Sequence, residues 1–296
     1  MAALDGRRAI VTGASTGLGA AIAEELAACG AGVLLCSRSA EKLGAAVERI
    51  AARVSREEPS GPQSAGRSGA ERGASGRADP GTSGHTDSRQ ALLTLAADVL
   101  DPRTAPRLSA LAHDHWGGLD ILVCNAGGPP PADFDEADDA AWEEAFRLVL
   151  LSPIRLIRAC LPLLRASGTG RIILMNSVSA LRPVRRLLLS NALRPGLIGL
   201  ARHLGGELAA DGILANAISP GFFDTGRARE VQEAIARQSG RPLDEVQDEI
   251  RARIPLGRQG DPRELGRLIT FLVSVENTYI TGQTIVIDGG LTTAPE

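Results

Sequence analysis

The chain has 296 residues, 44% of them apolar and 23% charged, which is enough apolar material for a substantial core and excludes a fibrous, disordered or disulfide-built protein. Thirty-two basic against thirty-five acidic side chains leave a net charge of −3, a balance that argues against nucleic acid or a membrane surface as the main partner. No apolar run approaches the roughly 18 residues of a membrane span, and the opening MAALDGRR carries an acid and two arginines where a secretory signal is apolar, so a cytoplasmic location is expected. Cys29, Cys36, Cys124 and Cys160 stand apart in apolar surroundings without Cys-x-x-Cys spacing, so reduced thiols and no metal centre are expected.

In chain order, short continuous apolar runs at 9–11, 33–36, 92–96, 121–124, 172–175, 213–218 and 284–287 predict strands covered on both faces. The first is followed by a glycine-rich turn and a helix carrying Ile22 and Leu26 that closes at Gly30. Leu43, Val47, Ile50 and Val54 fall at helical spacing after the second strand, and Leu193, Leu197, Leu200, Leu204 and Leu208 do so before the sixth. Between them, residues 55–90 contain no aliphatic or aromatic side chain beyond alanine and are nearly half Gly, Pro or Ser, a composition that cannot offset its ordering entropy and reads as a disordered surface insert. Residues 222–257 hold two short helical patterns around 231–235 and 246–250, and Asp261 before Pro262 marks a capped helix start. Strand and helix alternating through the chain predict one α/β domain over 1–296, with a doubly wound parallel sheet.

Thr12-Gly13-Ala14-Ser15-Thr16-Gly17-Leu18-Gly19 stands between the first strand and its helix. Glycines there let the backbone turn tightly and approach a pyrophosphate, while free amides at the helix start face the anion, so a Rossmann-type dinucleotide site is expected.

The T-G-x-x-x-G-x-G spacing resembles the short-chain dehydrogenase/reductase superfamily. The resemblance continues through Cys124-Asn125-Ala126-Gly127, the run from Arg171 to Ser177, Ser219-Pro220-Gly221, Tyr279-Ile280-Thr281-Gly282-Gln283 and Asp288-Gly289-Gly290. It implies a cytoplasmic oxidoreductase that forms homodimers or homotetramers and binds a pyridine nucleotide. Gly13, Ser15, Thr16, Gly17, Leu18 and Gly19 would hold the pyrophosphate, and Asp98 with Val99 the adenine. Asn125, Ala126, Gly127, Pro220, Gly221 and Thr225 would line the nicotinamide half. Where the family selects its cofactor, this chain has Ser37 and Arg38 instead of an acid, which favours NADP(H) over NAD(H), because a guanidinium pairs with a 2′-phosphate.

The family's Asn, Ser, Tyr and Lys tetrad is not intact here. Counted from Ser177, Y-x-x-x-K falls on Ser190 and Arg194, and the asparagine before L-x-S corresponds to Val149. Tyr279, the single tyrosine, precedes the last strand in a motif the family uses structurally. Serine is a far poorer acid than a phenol and arginine stays protonated, so neither replaces the tyrosine directly. Ser177 is then expected to donate to the substrate oxygen. Arg194 would hold the nicotinamide ribose and supply positive charge, and Ser190 or an ordered water would relay the proton. The i, i+4 spacing places Ser190 and Arg194 on one side of their helix.

The resemblance makes 222–257 a substrate lid, in which Phe222, Phe223, Leu243 and Ile254 suggest a partly apolar small or medium substrate and Arg227 and Arg229 a meeting with an acidic group. Pro129, Pro130 and Pro131 should stiffen the opposite wall. His85, His113, His115 and His203 are not expected to act. Two other readings share the bound nucleotide: a redox-silent regulatory or assembly protein, and a non-redox enzyme of dehydratase or isomerase type.

Overall fold

The structure, a computed structural model, describes residues 4–57 and 92–293. The apolar runs form β1 (Arg8–Thr12), β2 (Gly32–Ser37), β3 (Leu92–Ala96), β4 (Ile121–Cys124), β5 (Arg171–Met175), β6 (Leu214–Pro220) and β7 (Thr284–Ile287). Every neighbouring pair is parallel, in the order β3-β2-β1-β4-β5-β6-β7. The helices are α1 (Gly17–Ala28), α2 (Ala40–Glu57), α3 (Thr104–Trp116), α4 (Asp139–Phe146), α5 (Ser152–Ser167), α6 (Leu188–Leu193), α7 (Pro195–Glu207), α8 (Gly226–Ser239), α9 (Leu243–Ala252) and α10 (Pro262–Val273).

Successive strand side chains point to opposite faces, which divides the core in two. Ala9, Val11, Val33, Ile173 and Met175 meet Ile22, Leu26, Ile50 and Ile269 of α1, α2 and α10. Ile10, Leu34, Leu122, Ile172 and Leu174 meet Leu108, Leu156, Cys160 and Leu204 of α3, α5 and α7. Both faces are covered, which is why the strands read as unbroken apolar runs rather than alternating ones.

The insert begins later than its composition suggests. Ser55, Arg56 and Glu57 complete α2, where the Ser55 hydroxyl donates to the Ala51 carbonyl at 2.9 Å, because the amphipathic helix carries one more turn beyond Val54. Residues 58–90 of the predicted insert, with His85, lie outside the described residues.

Away from the strands' carboxyl ends, Asp120 ties the sheet together. It pairs with Arg8 Nε at 2.7 Å and accepts from the Ser167 hydroxyl at 2.6 Å. Burial alone would raise its pKa, but the hydrogen bonds from Arg8 and Ser167 outweigh that and hold the carboxyl below its ordinary value.

Candidate active site

Strand order reverses between β1 and β4, and their carboxyl ends open the crevice where such sheets bind ligands. Gly13 and Gly17 take φ of +61° and +60°, the left-handed region that side chains avoid. A Cβ on Gly13 would stand 2.7 Å from Asn125 Nδ2, and one on Gly19 would overlap the Gly13 carbonyl. Asn125 Nδ2 donates to the Thr12 and Gly13 carbonyls at 3.1 and 3.3 Å, while the Thr12 hydroxyl donates to the Asn125 carbonyl at 2.7 Å. The Asn125 amide thus holds the turn in shape rather than facing the crevice. Thr12 shares that task and was not singled out from the sequence, although it opens the motif. Thr16 caps α1 in an extended conformation without a side-chain hydrogen bond, so first-turn amides remain for an anion.

At the outer end of the crevice, the Ser37 hydroxyl closing β2 is buried and Arg38 beside it is exposed, the first with no hydrogen-bond partner and the second with no ion pair among the described residues. Asp98 Oδ1 accepts from the Leu100 amide at 3.0 Å, and the Asp98 carbonyl takes the Thr104 hydroxyl at 2.6 Å, which fixes the turn through Val99. Open amides, an orphaned hydroxyl and glycines at each close approach fit a dinucleotide. Thr225 caps α8 by accepting from the Ala228 amide at 3.2 Å, and its Cβ and Cγ2 lie 3.9 Å from where a Cβ on Gly17 would stand. The lid therefore starts directly over the glycine turn. The Gly221 amide donates to the Ile287 carbonyl at 2.9 Å, and a Cβ there would meet Asp288 at 2.6 Å, so the turn after Pro220 is pressed against the end of β7.

At the inner end, Ser177 follows β5 and caps a short turn by accepting from the Ser179 amide at 3.1 Å, leaving its own proton to donate. Asn191 clamps the loop before α6 in both directions, accepting from the Val184 amide at 3.0 Å and donating to the Val184 carbonyl at 2.9 Å. This fixes α6, on which Ser190 is buried, and the junction to α7, from which Arg194 Nη1 reaches the Met175 carbonyl at 3.5 Å. A Cβ on Gly128 would lie 3.6 Å from Arg194 Nη2 and 3.9 Å from Ser190 Oγ, so the two side chains converge beside the Asn125–Gly128 loop. Burial lowers the Arg194 pKa to about 10.

Val149 is buried in a π-helical stretch, Arg147–Leu151, that joins α4 to α5, and with Arg194 it lines a cavity with room for about one water. Tyr279 is 96% exposed before β7, and the only lysine, Lys42, lies in the first turns of α2. Neither residue reaches this end of the crevice. The cysteines are ordinary core thiols: burial pushes Cys36 up to about 11 and Cys160 to about 12.

The two helical patterns of 222–257 form α8 and α9, and the residues expected to meet a substrate there already have partners within the chain or are exposed. Phe223 and Ile254 are buried, packed where Cβ atoms on Gly260 and Gly289 would come within 2.6 and 2.7 Å. Phe222 lies beneath the Arg253 guanidinium, 5.7 Å from the ring centroid, and Leu243 is exposed. Arg229 pairs bidentately with Asp224 at 2.7 and 2.8 Å, and Arg227 pairs with Glu230 at 3.4 Å, so neither is held in reserve for an acidic group. Apolar content alone does not separate a lid's inner surface from its packing. Beyond Pro131, the Ala132 amide donates to the Arg186 carbonyl at 2.8 Å and Arg186 pairs with Asp133 and Glu136 at 2.8 and 2.9 Å, tying this wall to the loop before α6. His113 and His115 are exposed at the end of α3, and His203 pairs with Glu207 at 2.8 Å on the surface of α7.

A family model described as short chain dehydrogenase matches residues 7–58, and one described as enoyl-(acyl carrier protein) reductase matches residues 70–292. The chain belongs to the short-chain dehydrogenase/reductase superfamily. Among its relatives, 3-oxoacyl-(acyl-carrier-protein) reductase FabG of Vibrio cholerae is 30% identical over 97% of this chain and 98% of its own. L-sorbose reductase from Gluconobacter frateurii, solved with NADPH and L-sorbose, matches at a TM-score of 0.83 and 26% identity over 99% of both chains. A short-chain oxidoreductase from Pseudomonas aeruginosa, solved with NADPH and described as containing an atypical catalytic center, matches at 0.79 and 30% identity over 98% of both. The break between the two family models, from 58 to 70, falls within the compositional insert.

Proposed function

We propose that the chain is an NADP(H)-dependent oxidoreductase that reduces a carbonyl, or oxidises an alcohol, of a small or medium substrate, with Ser190 and Arg194 where the family has its tyrosine and lysine. The convergence of Arg194 Nη2 and Ser190 Oγ on Gly128 carries this reading, since it puts a cation and a hydroxyl where charge and a proton are needed. The glycine turn and the open amides of α1 hold the pyrophosphate, Asp98 and Val99 flank the adenine, and Ser37 with Arg38 takes the 2′-phosphate. Thr225, Pro220 and Gly221 close over the nicotinamide half, which supplies the hydride when bound.

Ser177 donates its hydroxyl proton in a hydrogen bond to the substrate oxygen. Arg194 stabilises the developing alkoxide, and the same guanidinium has donors left for the ribose hydroxyls. Arg194 keeps its own proton; Ser190 and a water in the adjoining cavity pass one to the alkoxide. A missing tuned acid costs about 10² to 10⁴ in rate, so a slow reductase is expected rather than a silent one. The NADPH-bound relative with an atypical center supports the combination of a bound nucleotide and an altered tetrad.

Titration with NADPH and NADH, followed by a carbonyl panel scored for nucleotide consumption, tests the reading. NADPH should bind more tightly, and Arg38→Asp should reverse the order. Binding without turnover on any carbonyl would favour a redox-silent protein, and product formed without nucleotide consumption a non-redox enzyme. Ser190→Tyr combined with Arg194→Lys should raise turnover if the remainder of the crevice is competent.

A further inference from the structure

Arg194 is a cation without a counter-ion. Its guanidinium is half-buried, its hydrogen bond to the Met175 carbonyl is long at 3.5 Å, and among the described residues no carboxylate pairs with it. A desolvated charge left this way is unfavourable, and folded chains pair nearly all such groups. The other buried arginines are held more fully: Arg8 meets Asp120 at 2.7 Å, and Arg171 and Arg7, which have no carboxylate of their own among the described residues, donate to backbone carbonyls at 2.9–3.1 Å, Arg171 to Thr169, Gly170 and Asn277 and Arg7 to Thr169. The lowered pKa of Arg194 has burial as its only cause, with no neighbouring acid to offset it.

The unpaired side of the guanidinium is also the accessible one. Nη2 faces Gly128, where a Cβ would stand 3.6 Å away and Ser190 Oγ is 3.9 Å from the same point. Gly128 is not in the left-handed region, so its backbone does not require glycine. What the missing side chain does is leave this approach open. Truncation of the family's phenol to Ser190 empties further volume on the same side. The nicotinamide ribose is neutral and cannot cancel the charge, and the phosphates of a dinucleotide belong to the glycine turn and the end of β2.

We propose that the substrate brings the missing negative charge: a carboxylate one or two carbons from the reacting carbonyl, docked on Arg194 Nη2 and Ser190 Oγ through the space at Gly128. The inference rests on the reductase reading and deepens it by naming the substrate class, 2-oxo and 3-oxo acids or the matching hydroxy acids. A guanidinium fork is suited to a carboxylate, and the apolar neighbours Val149 and Leu197 offer the guanidinium no competing acceptor. Gly128 is then a specificity-determining position.

Matched probes test this: acetoacetate against methyl acetoacetate and pyruvate against methyl pyruvate, followed by NADPH oxidation, with wild type, Arg194→Gln and Gly128→Val. In wild type the acids should exceed their esters about tenfold or more in kcat/KM, and in Arg194→Gln the preference should shrink to within about twofold. Gly128→Val should raise KM for the acids about tenfold while leaving the NADPH Kd within about twofold. Acetoacetate should also raise the Tm of wild type with NADP present, and of neither variant. If wild type turns over esters as well as acids, the inference is overturned and the reductase reading stands. If wild type binds no NADPH, the reductase reading falls. There, or where none of the four probes is turned over, the acetoacetate shift decides: a shift lost in both variants supports the anion subsite, and no shift in wild type overturns it. Should Arg194→Gln fail to fold, Gly128→Val carries the comparison.

Discussion

Arg194 sets function against stability at a single position. Folding strips water from its guanidinium and lowers its pKa to about 10, so the folded chain holds the charge less favourably than the unfolded one. The cost is fully present below about 10 and falls away as pH rises toward the higher value of an unfolded arginine. Arg194→Met keeps the length of the side chain and removes the charge, so it should hold or raise the melting temperature, by about 1 kcal/mol of stability, while carbonyl reduction is lost. Thermal unfolding beside a turnover assay checks both halves; a large drop in Tm would show that the guanidinium has an unrecognised partner. Ser190 and Arg194 were legible in the sequence because the count from Ser177 survives the substitutions. Gly128 was not, since its meaning lies in what approaches it from α6 and α7, over 60 residues away along the chain. Thr12 was likewise hidden, because its partner is Asn125, just past the end of β4 and over 110 residues away along the chain.

Elements carry the nucleotide site. A Cβ at Gly19 would overlap the Gly13 carbonyl inside the turn, so Gly19→Ala should abolish NADPH binding in a fluorescence titration with the fold retained. Normal affinity in that variant would place the nucleotide elsewhere. Thr225 joins the lid to the same turn as the cap of α8, so Thr225→Ala should destabilise the start of that helix by about 1 kcal/mol and weaken NADPH binding without changing the oligomeric state. Hydrogen exchange at the first turn of α8 reports the first effect. All seven strands could be read from apolar runs, with ends moved by one or two residues, and helical spacing marked α8 and α9, each of which extends by two to five residues beyond the pattern at either end. The orientation of 222–257 could not be read, because Phe223 and Ile254 are apolar in a lid and in a core alike, and only their close packing against Gly260 and Gly289 distinguishes the two. Arg227 and Arg229 were misjudged for a related reason: Asp224 and Glu230 lie within a turn of them and claim both charges.

The whole molecule is held at the far end of its sheet by Asp120, and this predicts its response to acid. The folded carboxyl titrates below its unfolded value of about 3.9, so the stability it contributes is present above that pH and is lost as pH falls through the lower folded value. Asp120→Asn should flatten the dependence of stability on pH below about 4, as read by urea unfolding, and lower stability at neutral pH by about 1–3 kcal/mol. None of the described helices is long and apolar enough to cross a membrane.

At the centre of the proposed chemistry a guanidinium stabilises the alkoxide beside a bound pyridine nucleotide while Ser190 and a water relay the proton, and the most direct measurement is NADPH consumption by wild type and Arg194→Ala across the carbonyl panel. Slow turnover by wild type and a loss of about 10² to 10³ in the variant are expected. Turnover unchanged by the substitution would contradict this chemistry.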